Sequence, residues 1–362
     1  MDMCRREFIA AGGAFAAWTG VAKNTTAGGH GDFIWAYMPQ FGMNMWGDLV
    51  KKPERDGIMT RHLTDAEYDA LCRPENQTRE AIRFDDAVWN DLSGGLKASG
   101  CNLILADLGD FVVYPSHPEL AIKGSWSAER MQTEVLRLKG LGFEVVPKLN
   151  FSCCHDAWLK EYRKMVSTAQ YYRILRDLVS DAYEMFMHPK YVHVGMDEED
   201  IYEYQARENS IVRMRQGDLW WHDLLFLVKE VEKHGARAWV WSDYLRRHTA
   251  EEFFRRMPKT VVQSPWTYRT ESPSFDDPLI AIYKTLTDNG YDTVPCASNC
   301  YGLAKNFTAT AAFCSENLDP RYYKGILFAP WMATTPVWRR LLLEGVEIFG
   351  RAVRGQGNGA AR

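Results

Sequence analysis

KYVHVGMDEEDIYEY, residues Lys190–Tyr204, passes from a short apolar segment into four consecutive acids, Asp197, Glu198, Glu199 and Asp200. Tyr, Val, His and Val in succession favour extended chain, so the acids fall where a strand would end. Two readings compete. Carboxylates suit the first turn of a helix, which makes Asp197 and Glu198 part of a cap and Glu199 and Asp200 cap and surface. The alternative is that Asp197 and Glu198 form a functional carboxylate pair at the mouth of a barrel. The sequence on either side decides between them.

Working outward, the same kind of apolar segment recurs at 33–38, 102–106, 144–149, 191–195, 238–241, 260–264, 293–297 and 326–329. Helix-length amphipathic stretches lie between them, among them 126–141, 169–186, 219–234 and 335–352. Gly100, Gly142, Gly235 and Gly290 stand just before the next strand, where a left-handed cap is needed. Strands alternating with helices imply a parallel sheet, and eight of them match a closed (β/α)8 TIM barrel in the α/β class. An open doubly wound sheet is the rival, but no strand runs into a glycine-rich phosphate fingerprint. The expected organisation is a signal and linker at 1–30, a single barrel domain at 31–354 and a flexible tail at 355–362. Residues 47–83 read as a long first loop with a short helix at 64–72.

Bulk properties narrow the partner. A net charge of -4 and a pI near 6.2 give no basic excess for a nucleic acid. Aromatic residues make up 13% of the chain, and their flat apolar faces suit the C–H faces of sugar rings. Arg5-Arg6-Glu7-Phe8-Ile9 precedes an apolar run at 10–20, which is shorter than the roughly 20 residues a membrane span needs. It reads as a twin-arginine export signal, with a periplasmic or secreted mature protein and no membrane span. The eight cysteines permit disulfides in an exported protein. Cys153-Cys154 and the Cys296, Cys300 pair lack the CxxC knuckle of structural zinc, so core or disulfide roles are favoured over metal.

A barrel of this type builds its site at the C-terminal ends of its strands. The residues to read there are Gln40, Asn44 and Trp46 after the first strand, Asp107 and Asp110 after the second, and His155 and Asp156 after the third. Asp197 and Glu198 follow the fourth strand, preceded by His193 on the strand itself. Trp241 and Asp243 follow the fifth, Trp266 and Tyr268 the sixth, Asn299 and Tyr301 the seventh, and Trp331 the eighth. Three tryptophans around an acidic floor would form a walled, apolar substrate pocket. His193 alternates with Asp197 on the inward side and is expected to brace it, a hydrogen-bonded core histidine being the other reading. His155 and Asp156 are weaker candidates for contacts to substrate hydroxyls.

His193-Val194-Gly195-Met196-Asp197-Glu198 resembles the His-x-Gly-Gly-Asp-Glu motif of glycoside hydrolase family 20, the β-N-acetylhexosaminidases, with Met196 in place of the second glycine. Pro147-Lys148-Leu149-Asn150 with His155 is similar to the family's strand-three segment, Cys154 standing where it has Gly. Trp239-Val240-Trp241-Ser242-Asp243 is similar to its Trp-x-Glu stretch, and Ser264-Pro265-Trp266-Thr267-Tyr268 to the segment carrying its acetamide-binding tyrosine. The family's strand-one arginine has no counterpart in 33–46.

The resemblance implies cleavage of 2-acetamido glycosides in which the substrate's own acetamido oxygen attacks the anomeric carbon. Asp197 would orient the acetamido N–H and Glu198 would act as general acid and then base, with a carbohydrate substrate and no cofactor or metal. Two other classes stay open. One is a metal-dependent barrel isomerase or hydrolase gathering His155, Asp197, Glu198 and Asp243. The other is a non-catalytic sugar-binding barrel.

Overall fold

The computed structural model describes residues 33–44, 53–199 and 215–357. The expected export signal, Trp46, Asp200 and the last five residues of the expected tail lie outside them. Eight parallel strands form the sheet: β1 (Ile34–Tyr37), β2 (Leu103–Asp107), β3 (Glu144–Lys148), β4 (Tyr191–His193), β5 (Arg237–Trp241), β6 (Val262–Ser264), β7 (Cys296–Ala297) and β8 (Gly325–Phe328). Each pairs with the next in sequence from β1 to β6, and β8 lies between β7 and β1, with Trp35 opposite Ile326. Parallel bridges Gln263–Thr293 and Trp266–Cys296 join the β6 and β7 segments and close the ring. The Val294 N–H donates to Gln263 O at 2.8 Å and the Cys296 N–H to Pro265 O at 2.9 Å across that seam.

A helix follows every strand, starting with Asp86–Ser99 after β1 and ending with Arg339–Gly357 after β8. Asp85, Ser127, Thr168, Thr249 and Asp277 cap helix starts by accepting backbone N–H groups at N2 or N3. Gly100, Gly142, Gly235 and Gly290 carry φ between 77° and 92°, the left-handed turn that delivers each chain into the following strand. Helix Asp86–Ser99 buries Val88, Trp89, Leu92 and Leu96, one stripe at helical spacing. The last helix continues three residues into the expected tail.

The strands are buried almost throughout, as parallel strands covered by helices require. Inside the barrel, however, the lining is partly polar. Lys148 on β3 and Asp107 on β2 form an ion pair of 2.9 Å with neither side chain exposed. Lys148 is in register with His193, also fully buried. This charged layer supports the end of the barrel at which the strands deliver their functional side chains.

Candidate active site

β4 gives up extended geometry at Gly195, whose φ is +79°, followed by Met196 at +68° and Glu198 at +53°. A Cβ on Gly195 would meet Asn150 Oδ1 at 2.5 Å, so only glycine fits there. Met196 and Glu198 are L-residues held in a conformation that costs of order 1–3 kcal/mol, a form of strain that concentrates at functional sites. The turn lifts Asp197 and Glu198 off the strand and aims them at the segment after β3. There Ser152 Oγ hydrogen-bonds Asp197 Oδ1 and accepts the Asp197 N–H at 2.9 Å. His155 Nε2 lies 3.3 Å from Asp197 Oδ2 and 2.9 Å from Glu198 Oε2. Burial raises the Asp197 pKa, but the adjoining His155, Lys148 and Ser152 outweigh it and hold the carboxyl well below its usual range. For His155, burial opposes charge while Cys154 and Asp197 favour it, and the net pKa is raised well above that of free imidazole.

A cavity of about 470 Å³ opens over this pair. His155, Asp197, Glu198, Trp241, Trp266, Tyr268, Tyr301 and Trp331 all face it. Its aromatic wall is continuous: Trp266 stacks on Tyr268 at 5.1 Å, Tyr268 meets Tyr301 edge-on at 6.0 Å, and Trp331 lies 6.0 Å from Trp241. Arg246 sits 3.5 Å over Trp266 and fixes the outer ring. The Trp241 indole nitrogen is buried on this wall with no hydrogen-bond partner among the described residues, a donor left over for a ligand.

Several of the sequence-selected residues stand away from the cavity wall, among them Asp156, Asp243, Asn299 and His193. Asp243 lies behind Trp266, accepting its indole N–H at 2.8 Å and facing Arg246 at 3.4 Å. Burial, reinforced by the charges of Asp197 and Glu198 and opposed by Arg246, raises its pKa to about 7. Asn299 donates to Leu341 O at 3.3 Å and borders a smaller cavity. His193 is fully buried, packs edge-on to Trp241 at 4.7 Å and accepts the Gly195 N–H on Nδ1. The bracing contact to Asp197 therefore comes from His155 rather than His193, because the left-handed turn at 195–196 breaks the alternation on which that expectation rested.

One further expectation is corrected. Glu199 is no surface residue: its carboxylate is buried against Arg215, which also pairs with Asp223 at 3.2 Å, and it accepts the Cys153 N–H at 2.9 Å. Arg215 lies 16 residues downstream, too far for a local reading to pair them. The seven described cysteines form no disulfide with one another, and five are buried, which selects the core role over disulfides among these residues.

Sequence reasoning also missed residues that reach the cavity. Met59, Leu71, Asn76, Gln77 and Arg83 enter it from the long loop after β1. Arg83 donates to Met43 O at 3.1 Å and Asn76 O at 3.4 Å and makes no ion pair among the described residues. Burial and the neighbouring Arg79 depress its pKa, with Asp110 opposing.

No family profile matches the chain, and no curated protein matches it in sequence. In three dimensions the barrel is similar to several solved structures at low identity. The β-N-acetylhexosaminidase of Bacteroides fragilis superposes with a TM-score of 0.55 at 13% identity, over 90% of this chain and 70% of that one. A Streptomyces plicatus N-acetyl-β-hexosaminidase gives 0.51 at 13%, over 74% and 61%. A family 20 exo-β-N-acetylglucosaminidase of Vibrio harveyi gives 0.50 at 15%, over 76% and 56%, so this chain spans little more than half of that protein.

Proposed function

We propose that the protein is a glycoside hydrolase acting on 2-acetamido glycosides by a substrate-assisted, retaining mechanism. The observation that carries this reading is the anchored Asp197 beside the more open Glu198, both facing one aromatic-walled cavity at the end of β4. The similar barrels named above are β-N-acetylhexosaminidases, which supports the same substrate class here.

In this mechanism Glu198 delivers a proton to the glycosidic oxygen as the substrate's acetamido oxygen attacks the anomeric carbon. The leaving group departs with that proton and an oxazolinium ion remains. Asp197 accepts the acetamido N–H and stabilises the positive charge that develops on it. The carboxylate of Glu198 then takes a proton from water as the water opens the ring at the anomeric carbon, with net retention. Ser152 and His155 hold Asp197, and the tryptophans exclude solvent and stack on the sugar. Arg83 takes the part of the missing β1 arginine and binds sugar hydroxyls.

We further propose that residues 1–30 direct export through the twin-arginine route, on the strength of RREFI and the short apolar run after it. Among the described residues no helix is long and apolar enough to cross a membrane.

The test is a panel of nitrophenyl glycosides with and without a 2-acetamido group. Hydrolysis confined to the 2-acetamido members is the expected result. Turnover of plain glucosides at equal rate would refute substrate assistance, and N-acetylhexosamine binding without turnover would indicate a sugar-binding barrel.

A further inference from the structure

We propose that Cys154, His155 and Glu198 form a zinc-binding site, and that zinc held there blocks the carboxylate that protonates the substrate. The blocking half rests on the proposed role of Glu198; the binding half does not.

One donor atom from each of the three residues lies within 4.8 Å of the other two. Thiolate, imidazole and carboxylate are the ligand types zinc takes, at roughly 2.0–2.3 Å each. Tetrahedral bonds of that length hold donors about 3.3–3.8 Å apart, so the cluster needs a contraction of no more than about 1.5 Å, within reach of side-chain rotation. The backbone already holds the partners together. Cys154 Sγ lies 3.4 Å from both the Asp197 and the Glu198 carbonyl oxygens, which presses the thiol against the segment that carries the acids. Asp197 Oδ2, 3.3 Å from His155 Nε2, stands close enough to supply a fourth donor, or water from the cavity can do so.

The ion has a way in, because the Glu198 side chain is 23% exposed and faces the cavity. A thiol in the set disfavours magnesium and calcium, which take oxygen ligands, and selects zinc. On binding, the Cys154 thiol and the protonated His155 ring each give a proton to solvent, the His155–Glu198 hydrogen bond breaks as its proton leaves, and the thiolate, the neutral imidazole and the carboxylate turn their lone pairs to the metal. No electrons move. With zinc on one of its oxygens Glu198 is held as the carboxylate, so it carries no proton to deliver to the substrate. Cys154 stands where the motif it resembles has glycine, so the ligand set belongs to this chain's own sequence.

The experiment measures binding of zinc alone to the purified full chain by equilibrium dialysis, and cobalt(II) in its place by absorption spectroscopy. One equivalent of zinc and a thiolate-to-cobalt charge-transfer band are expected. Cys154→Ser should weaken zinc binding at least tenfold and abolish the band, whereas Cys72→Ser should leave both intact. Should Cys154→Ser misfold, Cys154→Gly serves the same purpose. No stoichiometric zinc, or a band that survives loss of the Cys154 thiol, would overturn the site. If the 2-acetamido glycosides are hydrolysed, zinc at saturation should suppress the rate at least tenfold in wild type and not in Cys154→Ser; undiminished hydrolysis with zinc bound would overturn the blocking role. Zinc binding by a protein that, once stripped of zinc with a chelator, still hydrolyses none of the panel would leave the site standing and refute the hydrolase reading instead.

Discussion

The two carboxylates of the site differ in how firmly they are held. Asp197 is 7% exposed and fixed by Ser152 and His155, whereas Glu198 is 23% exposed with His155 as its side-chain partner. A fixed acid suits orientation of the acetamido group, and a freer one suits carrying a proton in and out. Glu198→Gln should therefore cost about 10² to 10⁴ in kcat on substrates with poor leaving groups and much less on nitrophenyl glycosides. Asp197→Asn should slow both substrate types alike, because it weakens the participating amide whatever departs. Parallel kinetics on the two types would decide it, and near-full activity in both variants would return the acids to a helix cap. Asp243 offers a separate test through stability. Its native pKa of about 7 exceeds the unfolded value near 3.8, so the folded state binds the extra proton. That contribution is complete below about pH 4 and declines as pH rises to about 7, a change of up to about 4 kcal/mol. Asp243→Asn, which cannot ionise, should gain in Tm relative to wild type across that window. A constant Tm difference from pH 4 to pH 8 would show that the carboxyl titrates normally.

Between elements, the strands and the glycine caps were legible because each is a local signal: apolar runs set the strands, and glycine before a strand marks the left-handed exit of a helix. All eight expected strands overlap observed ones, and most of the aromatic wall was readable as residues that follow strand ends. What failed was register and long-range pairing. Inward alternation from His193 to Asp197 presumes extended chain, and the positive φ at Gly195 and Met196 ends it. Ser152 was overlooked because an isolated serine carries no pattern, and Glu199 was misplaced because its partner Arg215 lies beyond the next turn of sequence. Arg83 illustrates the same limit, since the long loop has no periodicity to reveal which of its residues faces the cavity. Its guanidinium, tied among the described residues only to carbonyl oxygens, is available to a substrate. Arg83→Gln should raise KM about 10- to 100-fold with a smaller effect on kcat, the signature of losing charged hydrogen bonds made equally in ground and transition states. A matching fall in kcat with KM unchanged would place Arg83 in the chemistry instead.

For the molecule as a whole, the proposed export and the cysteines bear on each other. Disulfides form readily once a chain with accessible cysteines reaches an oxidising compartment. Here Cys101, Cys153, Cys296, Cys300 and Cys314 are buried, and Cys72 and Cys154 are only partly exposed. A barrel that folds before it crosses the membrane would carry these thiols across already enclosed, which a route for folded cargo permits. Arg5→Lys with Arg6→Lys should then leave the protein in the cytoplasm, and normal periplasmic accumulation of the double variant would refute the route. The cysteine count gives a second readout on the same protein. The sequence holds eight cysteines, seven of them within the described residues and the eighth at Cys4. If residues 1–30 are removed on export, the periplasmic protein titrated in denaturant without reductant should show seven thiols, and the cytoplasmic double variant eight. Under native conditions the periplasmic protein should react quickly at no more than Cys72 and Cys154, because a thiol reagent reaches the other five only through unfolding. Five or fewer thiols after denaturation would mean that a pair has oxidised, which requires the chain to have met the oxidising compartment before its core closed.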